Sequence, residues 1–122
     1  MPKKILIVED DKHFSGYLTE LLSEYEIQTA VDGIYGLKIG KIQKPDLIII
    51  DLGLPRMSGE EMMERLREDE VLKEVPIVLV SGGFLKKYEG EVVQDYAANA
   101  VFSKPFDVGL FKDKISSLLA SR

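Results

Sequence analysis

Four aliphatic residues, Leu47-Ile-Ile-Ile50, run without a polar break and stop at Asp51. Two similar runs occur: Ile5-Leu-Ile-Val8 ahead of Glu9-Asp10-Asp11, and Ile77-Val-Leu-Val80 ahead of Ser81-Gly82-Gly83. A short run that is apolar at every position, rich in Ile and Val and closed by turn residues, predicts a strand covered on both faces. That is the condition of a parallel sheet flanked by helices. Such runs are too short for a membrane span or a signal-peptide core.

Between these strands the apolar spacing changes to a helical one. Asp11 is an N-cap candidate for a helix to about residue 25, with Phe14, Leu18, Leu21, Leu22 and Tyr25 on one stripe and Gly16 weakening it slightly. Residues 27–31 alternate, as in a short edge strand. Asp32-Gly33 turns into a helix carrying Ile34, Leu37, Ile39 and Ile42, stopped by Pro45. After Asp51, Pro55 stiffens the loop. Ser58 and Glu61 form an S-x-x-E capping box for a helix from residue 59 to about 69, with Met62, Met63 and Leu66 inward. A weaker helix over 85–98 is interrupted by Gly90. Ala100-Val101-Phe102 is a last short strand, and Asp107 caps a final helix with Leu110, Phe111, Ile115, Leu118 and Leu119 inward and Lys112 and Lys114 toward water. Five β-α units predict an α/β fold: a doubly wound five-stranded parallel sheet, order 2-1-3-4-5, with right-handed crossovers and helices on both faces. Its switch point falls between the first and third strands, which end in Glu9-Asp10 and Asp51.

The 122 residues, 45% hydrophobic and without internal repeat or low-complexity linker, suit one domain over 1–122. A net charge of -5 disfavours a nucleic acid or an anionic membrane surface as partner. The absence of cysteine excludes disulfides, thiol catalysis and thiolate metal sites. The expected location is the cytoplasm.

On this topology four strand ends bring Glu9 and Asp10, Asp51, Ser81 and Lys104 to one edge of the sheet. Three carboxylates in one pocket repel, and burial makes their charged forms costlier, so a cation is required there. The donors are oxygens and few, which suits Mg2+ with several retained waters, or Mn2+ in its place. Lys104 supplies a second cation. A carboxylate flanked by a divalent metal, an ammonium and a hydroxyl is suited to accept a phosphoryl group. Asp51 is then the nucleophile, Lys104 neutralises oxygens of the group in flight and Ser81 donates to one of them.

The motifs Ile5-Leu-Ile-Val-Glu9-Asp10, Pro45-Asp-Leu-Ile-Ile-Ile-Asp51-Leu-x-Leu-Pro55-x-Met-x-Gly59, Pro76-Ile-Val-x-Val-Ser81 and Ser103-Lys104-Pro105-Phe106 are weak singly and strong in this order. Over nearly its whole length the chain resembles the receiver domain of two-component response regulators, of flavodoxin-like fold. The resemblance implies a signalling switch rather than a metabolic enzyme. Asp51 would take phosphate from a sensor histidine kinase or histidine phosphotransfer protein, and the altered surface around residues 85–98, the last strand and the final helix would be read by a downstream output protein or domain. It implies that Asp10, Asp51 and the Gly53 carbonyl ligate Mg2+ directly, with Glu9 acting through water. Ser81 and Lys104 would bind the phosphoryl group, and a cis peptide would join Lys104 to Pro105. A phosphorylation-dependent homodimer is compatible with it. The final helix reaching nearly to Arg122 leaves no room for an output domain in these 122 residues.

Gly53 and Gly83 stand where the family usually carries side chains near the phosphoryl group, and Val101 where it often has Tyr or Phe. These substitutions bear on phosphate lifetime and on the activation relay. Of the neighbouring polar residues, Asp11 is read only as a cap, His13 as an exposed helix residue, Met62-Met63 as core and Lys86-Lys87 as a solvated helix start. A haloacid-dehalogenase-type phosphatase would need an acid at Gly53. A flavin binder would need a Ser/Thr-rich loop after the first strand, and a nucleotide-binding P-loop is missing. The remaining alternative is a pseudo-receiver, an interaction module not regulated by phosphorylation.

Overall fold

A computed structural model describes residues 2–54, 56–82 and 98–120. In chain order the elements are β1 (Lys4–Val8), α1 (Lys12–Leu21), β2 (Glu26–Ala30), α2 (Gly33–Gln43), β3 (Leu47–Asp51), α3 (Gly59–Glu68), β4 (Ile77–Gly82), β5 (Ala100–Lys104) and α4 (Val108–Ala120). The strands form one sheet in the order β2-β1-β3-β4-β5, every neighbouring pair parallel. The expected α/β fold and strand order are therefore observed. The helix read over 85–98 lies outside the described residues apart from Ala98, as do Pro55, Gly83, Lys86-Lys87 and Gly90.

Alternation along each strand sorts the apolar runs into two cores. Leu6, Val8, Ile48, Ile50, Ile77, Leu79 and Val101 face one side with Met62, Met63 and Leu66 of α3. Ile5, Ile7, Leu47, Ile49, Val78, Val80 and Phe102 face the other with Leu18 of α1 and Phe111, Ile115 and Leu119 of α4. Runs apolar at every position are required because both sides are covered.

Some details differ from the sequence reading. α1 stops at Leu21 rather than near residue 25, with Leu22 as its C-cap. Leu22 is still buried and Tyr25 still packs against the core, so the stripe outlasts the helix. On α2, Ile34 and Ile42 are exposed, Ile42 at 73%, and the buried residues are Gly33, Gly36 and Gly40. The helix is pressed so close that a Cβ at Gly36 would stand 2.9 Å from Met62 Cε and 3.0 Å from Val8 Cγ2. It packs by backbone approach, with Leu37 and Ile39 its partly buried apolar side chains. On α4, Leu110 is 47% exposed instead of buried, because it stands one residue out of the stripe set by Phe111, Ile115 and Leu119. Lys112 and Lys114 are half-buried rather than fully toward water.

Arg67, near the end of α3, donates to the carbonyls of Lys73 (2.9 Å) and Val75 (2.8 Å) and to Asn99 Oδ1 (3.1 Å). That same Asn99 oxygen accepts the Ile77 N–H at 2.9 Å. One guanidinium thus ties α3 to the amino ends of β4 and β5, at the opposite end of the strands from Asp51.

Candidate functional site

At the carboxyl end of β1 the backbone leaves the sheet after Glu9, whose N–H still donates to Ala30 O at 2.9 Å. Asp11 caps α1 as expected: its Oδ1 accepts the N–H groups of His13 (2.9 Å) and Phe14 (3.3 Å). The Asp11 N–H in turn donates to Glu9 Oε2 at 3.1 Å, which turns the Glu9 carboxylate inward. Glu9 is buried and Asp10, the next residue, is exposed.

Asp51 ends β3 at the switch point between β1 and β3, 9% exposed. Its Oδ1 accepts the Gly53 N–H at 3.1 Å, so the turn after the strand orients the carboxylate. Gly53 is exposed, and a side chain there would first meet Asp51 Oδ1, 3.9 Å from the Cβ position. The start of α3 is held against this turn by Gly59, where a Cβ would fall 2.8 Å from Asp51 O and 2.9 Å from Leu52 Cα. Ser58 caps α3 by accepting the Glu61 N–H at 3.1 Å. In the same loop Arg56 adopts a left-handed φ of 67°. Its guanidinium pairs at 3.7 Å with Asp32, the buried N-cap of α2.

Glu9, Asp10 and Asp51 each offer a carboxylate oxygen within 4.8 Å of the others. Lys104, at the end of β5, reaches Glu9 Oε1 at 2.8 Å and Asp51 Oδ2 at 3.4 Å. Its nearest carboxylate is thus Glu9, a pairing the sequence reading did not contain. Burial, reinforced by the Asp51 carboxylate, pushes the Glu9 pKa up from 4.5 to about 7 despite the opposing pull of Lys104. Burial pulls Lys104 down, but its hydrogen bond to Glu9 and the charges of Asp51 and Glu9 outweigh that and hold its pKa above the ordinary value. Near neutral pH Glu9 is thus only partly ionised, while the Lys104 ammonium beside it stays charged.

Ser81 is buried at the end of β4, one residue beyond Val80, which pairs with Asp51. Ser81 pairs in turn with Ser103, whose buried Oγ has no hydrogen-bond partner among the described residues. The Lys104–Pro105 peptide is cis. Val101 is fully buried, paired with Leu79. The sheet therefore brings Glu9, Asp10, Asp51, Gly53, Ser81 and Lys104 to one edge. Among the described residues Phe14, which the sequence placed only on the apolar stripe of the first helix, also borders the site, its ring beside the Lys104 ammonium. No local signal links two residues so far apart in the chain.

The sequence and the fold of this chain have counterparts among known proteins. The family model for the response regulator receiver domain matches residues 5–116. The polar-differentiation response regulator DivK of Brucella anthropi is 33% identical over 121 residues, covering 98% of this chain and 98% of DivK. Hybrid signal transduction histidine kinase D of Dictyostelium discoideum is 38% identical over 103 residues, covering 84% of this chain but 7% of that protein. A putative response regulator from Chloroflexus aurantiacus superposes with a TM-score of 0.88 at 27% identity, covering 98% of this chain and 99% of the other. With the motifs, the strand order and the acid cluster in agreement, the chain belongs to the response regulator receiver domain family.

Proposed function

We propose that this domain, read over 1–122, is a phosphorylation-controlled switch in which Asp51 is the phosphoacceptor. The observation that carries this reading is the convergence of Glu9, Asp10 and Asp51 with the Lys104 ammonium at the end of the central strand. An Asp51 carboxylate oxygen attacks the phosphorus of a phosphohistidine on a sensor histidine kinase or histidine phosphotransfer protein. The P–N bond breaks and its electron pair leaves with the imidazole. Lys104 neutralises oxygens of the transferred group, and Ser81 donates to one of them.

The donor set fits a hard divalent cation: carboxylates close enough to share one ion, in a pocket costly to leave fully charged. Asp10, Asp51 and the Gly53 carbonyl would hold Mg2+, with Glu9 through water. When bound, Mg2+ neutralises the phosphoryl oxygens as charge shifts between them. The chain promotes only its own phosphorylation and slow dephosphorylation, and is a switch rather than a metabolic enzyme. Its partners are then the kinase and a downstream output protein or domain, and phosphorylation can also favour a homodimer. The surface that answers is the one around residues 85–98, β5 and α4. We place it in the cytoplasm, where kinase ATP is found. Among the described residues no helix is long and apolar enough to cross a membrane. The negative net charge argues against direct contact with nucleic acid.

Incubation with acetyl phosphate and Mg2+ should add one phosphoryl mass to the native chain and none to Asp51→Asn, read by intact-mass spectrometry. Uptake by Asp51→Asn would refute the assignment. A native chain that gains no mass and shows no response to Mg2+ would be a pseudo-receiver of the same fold.

A further inference from the structure

The Lys104 ammonium lies 4.2 Å from the centroid of the Phe14 ring. That is inside the roughly 6 Å over which a cation is drawn to an aromatic face. The contact joins the end of β5 to the first turn of α1. The ring is held in place from several directions. The Phe14 N–H is tied to Asp11 Oδ1 at the helix cap. Phe106 meets the ring edge-on, centroids 6.1 Å apart, and Tyr17 lies 6.0 Å away. Phe106 in turn stacks at 4.4 Å on Phe111, which is fully buried. The position of Phe14 is thus anchored through a chain of rings to the core.

An ammonium on a flexible four-carbon stem must surrender rotamer freedom to stay at one point. Glu9 and Asp51 attract it, but both belong to the cluster that would also engage a divalent cation. The Phe14 ring carries no charge to be claimed, so its attraction for Lys104 persists when those carboxylates are occupied. We propose that Phe14 is a positioning residue: its ring holds the Lys104 ammonium beside Asp51, ready for the oxygens of the incoming phosphoryl group. This role rests on the phosphoacceptor reading above. An aliphatic side chain of similar bulk fills the space but lacks the negative ring face, whereas tyrosine keeps it.

The test compares the native chain with Phe14→Leu and Phe14→Tyr by amide NMR, titrating first Mg2+ alone and then beryllofluoride, a phosphoryl mimic, in saturating Mg2+. Phe14→Leu should weaken beryllofluoride binding by about fivefold, the size of a partly desolvated cation–π contact. Mg2+ affinity should be the same in all three, and Phe14→Tyr should bind beryllofluoride like the native chain. The ε-methylene protons of Lys104 should be shielded by the ring in the native and Tyr chains and return to an ordinary position in the Leu chain. Equal beryllofluoride affinity in Phe14→Leu, or an equal loss of both affinities, would overturn the proposal, the second marking a packing role. Unshielded Lys104 protons in the native chain would overturn the contact itself, and that measurement needs no variant to fold. A native chain that binds no beryllofluoride while Lys104 is shielded would remove the phosphoacceptor reading, and the positioning role with it, but leave the contact standing.

Discussion

Glu9 is buried just beyond β1, with the Lys104 ammonium at 2.8 Å from its carboxylate. Its position at the end of β1 follows from the apolar run before it. Its protonation follows from burial and from Asp51, which lies far along the chain. In the unfolded chain Glu9 ionises near 4.5, and in the fold it keeps its proton to about 7. Between those values the folded state binds more protons than the unfolded one, so stability must fall as pH rises through that window. The loss should be about 2 kcal/mol, less than the whole shift would give because water reaches the mouth of the site. Denaturant midpoints in metal-free buffer from pH 4.5 to 7 should show this decline, and Glu9→Gln should flatten it. A stability that rises across the same range in the native chain, and is unaffected by Glu9→Gln, would contradict the assignment.

Among the elements, α2 departs furthest from its sequence pattern. Its isoleucines at 34 and 42 suggest a helix packed by side chains, yet the face against the sheet is Gly33, Gly36 and Gly40. The cost of glycine in a helix, about 1 kcal/mol each, is accepted because each has a close neighbour: Met57 at Gly33, Met62 and Val8 at Gly36, Leu72 at Gly40. Gly36→Ala should therefore destabilise, by about 1 kcal/mol net, since the added methyl meets the stiff Val8 side chain in a filled core. Gly16→Ala on α1 should do the reverse and stabilise by roughly 0.5–1 kcal/mol, because nothing lies within 4 Å of the new Cβ. Urea denaturation of the two variants beside the native chain separates them by sign. Equal effects of the same sign would mean that helix propensity alone decides at both positions.

For the molecule as a whole, the site exists only when β1, β3 and β5 are assembled, since Glu9, Asp51 and Lys104 meet nowhere in the unfolded chain. A ligand of that site must then stabilise the fold globally. With free Mg2+ at a hundred times its dissociation constant, the unfolding free energy should rise by about 2.7 kcal/mol. Asp10→Asn removes an exposed carboxylate of the cluster without touching the core, and should suppress that increment while leaving metal-free stability nearly unchanged. Thermal unfolding with and without Mg2+ measures both. An undiminished Mg2+ increment in Asp10→Asn would place the metal elsewhere.

By itself the sequence determined the architecture and the residues gathered at its working edge. Uninterrupted Ile and Val runs can be buried only in a sheet covered on both faces, and each run ends where a strand must end, so Glu9, Asp51, Ser81 and Lys104 are strand-end residues by local pattern alone. Helix caps at Asp11, Ser58 and Asp107 were legible for the same reason, because capping is settled within three residues. Only the tertiary structure decided the rest: which carboxylate Lys104 pairs with, that Phe14 underlies it, that Arg67 joins α3 to Asn99, and which face of α2 is buried. Those depend on distances between elements remote in the chain. Such distances are set by how closely backbones approach, at Gly36 and Gly59 above all, and a pattern of apolar spacing carries no measure of that.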